Sequence, residues 1–170
     1  MVINWYGEGC FRIQSGDVVI LTDPFLSTTG LVAPRFKADM VLKTGMFPAY
    51  VSEKDNETRI IVGPGEYEVK GAEVRGFPAV AAEEEREVTG AVYVVKIEDM
   101  KLGILGGLAK PDLSPDAMEK LQGVEMLFVP VGGAPYLSAE EAAKLVKKIE
   151  PKMVIPCFFK TSGLKRQAKD

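Results

Sequence analysis

No histidine occurs among the 170 residues. Histidine is the usual near-neutral acid or base and the commonest metal ligand, so its absence removes every Ser-His and Cys-His nucleophile arrangement and every His-based zinc site. Carboxylates, lysines, tyrosines and two thiols, Cys10 and Cys157, are left to carry any chemistry. Two stretches have the form of a site. Gly132-Gly133 ends an apolar run and can offer backbone amides to an anion; Lys160 and Thr161 can assist there. The other is ADMVLKTGMFPAY, residues 38–50. Its first half reads as a strand through Met40, Val41 and Leu42, and its second half as a loop carrying Gly45 and Pro48. In an α/β fold, a loop leaving the carboxyl end of a strand is where a site usually sits. This loop holds no acid, base or metal ligand of the ordinary kinds.

The bulk composition limits the function classes. A chain of this length is expected to form one domain with a sizeable core, and its 46% hydrophobic and 26% charged residues suit a soluble globular protein. The net charge of −3 argues against nucleic-acid binding through phosphate contacts. No apolar run approaches the ~20 residues of a membrane span, and the start, VINWYGEGCF, lacks the basic and apolar regions of a signal peptide. A cytoplasmic location follows by default, and in a reducing compartment Cys10 and Cys157 read as free thiols.

Short alternating or apolar runs at residues 2–6, 10–14 and 18–21 predict an antiparallel meander. Further strands are expected at residues 39–43, 59–62, 91–97, 101–105, 126–130 and 154–156. A hairpin is expected around Gly71, with Glu66 and Glu68 on one face, and residues 82–89 read as a solvated loop or hairpin tip. Ser114 with Pro115 predicts a helix to about Gln122, stopped by Gly123. Ser138 with Glu141 has capping-box spacing ahead of an apolar stripe at Ala142, Leu145, Val146 and Ile149. Many strands followed by strand–helix–strand–helix–strand fits an α/β protein with two sheets and outer helices, weakly preferred by patterning alone over a generic α+β domain. Residues 1–163 read as the domain and residues 164–170 as a polar tail, open to disorder.

Ordered along almost the whole chain are motifs that resemble the metallo-β-lactamase fold, in particular its small bacterial zinc-dependent hydrolase-like branch related to ascorbate-6-phosphate lactonase. Gly7-Glu8-Gly9-Cys10-Phe11 resembles that branch's Gly-His-Ser-Cys-Phe. Thr22-Asp23-Pro24-Phe25, Gly63-Pro64-Gly65-Glu66-Tyr67-Glu68-Val69 and Val129-Pro130-Val131-Gly132-Gly133 match its motifs directly. Leu105-Gly106-Gly107-Leu108 resembles Leu-Gly-Asp-Leu, and Ile155-Pro156-Cys157-Phe158-Phe159-Lys160-Thr161 resembles Ile-Pro-Met-His-Tyr-Lys-Thr. The resemblance implies a four-layer αββα sandwich. It also implies a hydrolase in which one or two zinc or manganese ions activate a water.

The same resemblance shows which ligands are missing. The family's His-x-His-x-Asp-His signature falls on Gly45, Phe47, Ala49 and Tyr50. A later His-Asp falls near Ala81-Ala82, the bridging Asp on Gly107, the late His on Phe158 and the early His on Glu8. A zinc site needs three or more N, O or S ligands converging at about 2.0–2.3 Å. The expectation is therefore a metal-free homologue without a cofactor, its pocket filled by an apolar plug, acting by binding a protein or small anion or by self-association. The alternative is a phosphoester or lactone hydrolase with a different metal arrangement, for which Glu8, Cys10, Asp23 and Cys157 are the available donors. Against that stands a plain packing role: the cysteines as small core residues, Asp23 in turn hydrogen bonds, and Glu8 facing solvent or paired with a lysine such as Lys160. Removal of the ligands by design stays open at this level.

Overall fold

The computed structural model describes residues 1–45, 57–83 and 86–166. Two mixed sheets face each other. In the first, β1 (Val2–Gly7), β2 (Cys10–Ser15) and β3 (Val18–Thr22) form the expected antiparallel meander, and β4 (Met40–Lys43) and β5 (Arg59–Val62) continue it in parallel. The second begins with β6 (Gly65–Val69), β7 (Ala72–Glu83), β8 (Arg86–Ile97) and β9 (Met100–Ile104), all antiparallel neighbours. Two parallel strands, β10 (Met126–Pro130) and β11 (Met153–Cys157), complete it. Each sheet thus passes from hairpins to parallel strands, as the order of strands and helices in the sequence requires.

Alternation along the strands builds the space between the sheets. Ile13, Ile20, Met40, Leu42 and Ile61 from the first sheet pack with Val74, Tyr93, Val95, Leu102, Ile104 and Phe128 from the second. Phe11 and Phe128 meet edge-on with centroids 4.8 Å apart. The Tyr93 hydroxyl crosses from the second sheet to donate to the Lys43 carbonyl at 2.7 Å, which gives this buried phenol a partner.

Both α-helices among the described residues lie on the second sheet. The first, α1 (Pro115–Leu121), is capped by Ser114, whose hydroxyl accepts from the Ala117 N–H. The second, α2 (Ala139–Ile149), carries the full capping box between Ser138 and Glu141. Ala117, Leu121, Ala142, Leu145 and Ile149 bury their stripe against Val92, Val94, Leu127 and Val129. On the outer face of the first sheet, Phe25 and Phe36, from the segment joining β3 to β4, pack against Cys10, Leu21 and Val41. Among the described residues no helix is long and apolar enough to cross a membrane.

Two sequence expectations are sharpened. Of the two readings of residues 82–89, solvated loop or hairpin tip, the hairpin holds, since β7 and β8 run to its end; Ala82 is buried in β7 and donates its N–H to the Gly107 carbonyl at 2.8 Å. The run of Glu83, Glu84, Glu85 and Glu87 conceals a ladder in which β7 and β8 pair to Glu83 and Arg86. The packed chain also extends beyond residue 163, because the Lys165 N–H donates to the Thr29 carbonyl at 2.9 Å.

Candidate functional site

The ends of β1, β3, β4, β9, β10 and β11 come together at one rim of the sandwich. Asp23 follows β3, Thr44 and Gly45 follow β4, Gly106 and Gly107 follow β9, Gly132 lies beyond β10, and Phe158 follows β11. Glu8 and Gly9 form the turn between β1 and β2. The rim lies at the carboxyl ends of the parallel strands, where α/β folds place their ligands.

Thr44 joins the two sheets at this rim. Its N–H and hydroxyl donate to the two oxygens of Asp23, each at 2.7 Å. The same hydroxyl accepts from the Gly107 N–H at 2.9 Å, and the Thr44 carbonyl accepts from Ala91 at 2.9 Å. A Cβ at Gly106 would fall on the Thr44 side chain, so the close approach needs glycine there. Asp23 therefore bonds across to the end of the next strand.

Phe158 fills the space beside this network. It is buried, has a left-handed backbone (φ 58°), and stacks on Tyr136 with centroids 4.2 Å apart. A Cβ at Gly9 would strike its ring, and one at Gly132 would fall on its carbonyl oxygen. Gly132 is thus a close-packing glycine. The Gly133 N–H donates to the Leu137 carbonyl at 3.0 Å. One of the two amides of the expected anion site at Gly132-Gly133 is thus bonded within the chain. Lys160 is exposed and Thr161 half-buried, on the segment that leaves β11.

Glu8 is buried, with a left-handed backbone (φ 51°). Its partner is Arg166, not Lys160. The guanidinium donates from Nε to Glu8 Oε2 at 2.6 Å and from an Nη to Oε1 at 3.0 Å, and the same Nη donates to the Phe158 carbonyl at 2.5 Å. Its Cζ lies 4.9 Å from the centroid of Tyr136. Trp5 Nε1 donates to the Glu8 carbonyl at 3.0 Å and steadies the turn.

Cys10 and Cys157 are free and fully buried. Burial first, and then the charge of Asp23, push both thiols well above their ordinary pKa; Glu8 adds to this at Cys157. Both pack within the hydrophobic core as small apolar side chains. Tyr93 is raised in the same way by burial and by Asp23.

These donors do not fit a hydrolytic metal ion. Gly45 and Gly107 carry no ligating side chain, the Phe158 ring brings carbon, Glu8 is held by Arg166, and Asp23 is held by Thr44. Among the described residues no group of three or more Cys, Asp or Glu side chains is placed to hold a metal. Three of the former-ligand positions, Phe47, Ala49 and Tyr50, lie outside the described residues.

Residues 2–158 match the family model of the beta-lactamase superfamily domain. The chain belongs to that superfamily. A Thermotoga maritima protein, assigned to the Zn-dependent hydrolases of the metallo-β-lactamase superfamily, is similar to this member in structure as well as sequence. The two share 30% identity and superpose with a TM-score of 0.81, over 98% of this chain and 80% of that one. Its αββα sandwich is the architecture expected from the ordered motifs. A UPF0173 protein of Pyrococcus abyssi is 26% identical over 187 residues, covering 96% of this chain and 85% of the relative. A UPF0173 metal-dependent hydrolase of Methanopyrus kandleri is 26% identical over 196 residues, covering 95% and 85%. Membership of the superfamily and the fold thus agree with the motif order in the sequence.

Three residues of the rim are not among the site residues expected from the sequence: Thr44, Tyr136 and Arg166. Thr44 directly precedes Gly45, so its place at the strand end was the available signal. Nothing local marks Tyr136 or Arg166, because their partners are brought in by the tertiary fold.

Proposed function

We propose that this protein is a metal-free, non-hydrolytic member of the beta-lactamase superfamily, cytoplasmic, that acts through binding or assembly. The observation that carries this reading is the occupation of the rim by the chain's own groups. The Arg166 guanidinium is the cation that Glu8 holds, at the position where the resembling motif has a histidine. Around it Phe158 and Tyr136 stack where a hydrated ion would need polar ligands. Relatives named as metal-dependent hydrolases support descent from an enzyme; the donors at this rim support loss of its chemistry.

The test is elemental analysis of the chain purified from medium supplied with zinc and manganese, with a phosphodiesterase and a lactonase assay on the same sample. The reading expects substoichiometric metal and rates at the level of a blank. One or more equivalents of metal accompanied by turnover would replace it with a hydrolase that uses another ligand arrangement.

A further inference from the structure

Glu8 and Phe158 belong to different sheets, yet they present a carboxylate and a carbonyl to the same group. Both have left-handed backbones, which are uncommon outside glycine and persist where surrounding contacts hold them. The Phe158 N–H approaches the Glu8 carbonyl at 3.4 Å, which keeps the two turns side by side. A carboxylate that receives Nε and Nη in parallel is the bidentate geometry specific to guanidinium, which an ammonium group cannot reproduce. The Tyr136 ring lies within cation–π range of Cζ, and Phe158 stands at the edge of that range, 6.0 Å away. Glu8 is 6% exposed. A carboxylate so buried is strongly disfavoured without a paired cation.

We propose that Glu8, the Phe158 carbonyl and the Tyr136 ring form a guanidinium-binding site, occupied in cis by Arg166, so that the C-terminal segment latches the two sheets together through a ligand that other guanidinium compounds can replace. The ligand class is a monosubstituted guanidinium, as in an arginyl side chain or methylguanidinium. Lys165 aligns the segment through its N–H on the Thr29 carbonyl, so the local concentration of the cis ligand is high and an outside ligand enters only when Arg166 is removed. The inference rests on the metal-free reading, because a Glu8 held by Arg166 is not available to a metal ion.

The experiment compares the full-length chain with its Arg166→Ala variant by thermal unfolding, adding methylguanidinium chloride at low millimolar concentration. Sodium chloride and tetramethylammonium chloride at equal ionic strength serve as controls. Arg166→Ala is expected to lower Tm by about 5–10 °C, from the cost of a broken buried pair in a domain of this size. Methylguanidinium should restore a saturable part of the loss in the variant, leave the wild type unchanged, and act where the two control salts do not. Absence of a saturable response, or an equal response in wild type and variant, overturns the inference. If the variant does not fold, the wild-type chain supplies the readout by NMR. The Arg166 Nε–H is then expected to exchange slowly with water and to lose that protection in Glu8→Gln; fast exchange in the wild type overturns the site. Zinc binding by the wild type would instead fail the metal-free reading, so the two failures are distinguishable.

Discussion

The hydroxyl of Thr44 donates to Asp23 Oδ2 at 2.7 Å and accepts from the Gly107 N–H at 2.9 Å, so one side chain links the end of β4 to strand ends in both sheets. Thr44→Val keeps the shape but removes both hydroxyl interactions, taking one bond from the Asp23 carboxylate and the hydroxyl acceptor from the buried Gly107 amide. The expected loss is about 2–3 kcal/mol in urea unfolding, with Thr44→Ser recovering most of it. A loss below ~0.5 kcal/mol would mean that water or another group satisfies both partners.

Gly132 and Gly123 separate two reasons for glycine. A Cβ at Gly132 would meet the Phe158 carbonyl oxygen, a backbone atom that cannot rotate away. Gly123 has open space around its Cβ position but a left-handed backbone (φ 67°) after α1. Gly123→Ala is expected to cost about 1 kcal/mol, from backbone strain alone. Gly132→Ala is expected to cost more than ~2 kcal/mol, because the strand ends must part. Chemical denaturation of the two variants side by side reads the difference directly.

Phe158 carries the apolar part of the rim. Phe158→Ala removes the stacking on Tyr136 and opens a cavity next to Gly9. The expected cost is about 3–5 kcal/mol. If the pocket instead collapses freely, the loss will fall well below that range.

Asp39 gives the clearest pH dependence. Burial opposes its ionisation, but the bond from Lys70, the Val19 N–H and the charges of Lys70 and Lys37 outweigh it and hold the carboxyl below its usual value. The ion pair with Lys70 is 2.6 Å long and ties the first sheet to the β6–β7 turn of the second. Because the folded pKa lies below the unfolded one, this stabilisation is present above the unfolded carboxylate pKa and is lost as pH falls through the folded value. Asp39→Asn should therefore be less stable than wild type at pH 7, and the difference should shrink as pH falls through the lowered folded pKa of Asp39. Thermal unfolding of both across that titration measures it.

Local rules made much of the fold legible. Ser114-Pro115 and Ser138 with Glu141 marked both described helices, because capping acts within one turn. Alternation around Gly71 marked the β6–β7 hairpin, with Glu66 and Glu68 exposed and the Tyr67 hydroxyl on the Pro64 carbonyl. Charge gave residues 82–89 a loop-like composition, and of the two readings this allowed only the hairpin tip matches the pairing of β7 with β8 up to Glu83 and Arg86. At the rim, the motif order located Glu8, Gly107 and Phe158, but the partner of Glu8 lies 158 residues away in a polar tail. No periodicity or spacing reports a contact of that separation, so Lys160, nearer to Phe158 in sequence, was the natural guess.

The cation beside Glu8 decides whether this rim is metal-free. An anomalous difference map at the zinc edge, from crystals grown with zinc, locates any bound ion directly. A metal-free rim gives continuous density for Arg166 on Glu8 and no anomalous peak between Gly45, Gly107 and Phe158. A peak there, with protein ligands around it and Arg166 displaced, would contradict it.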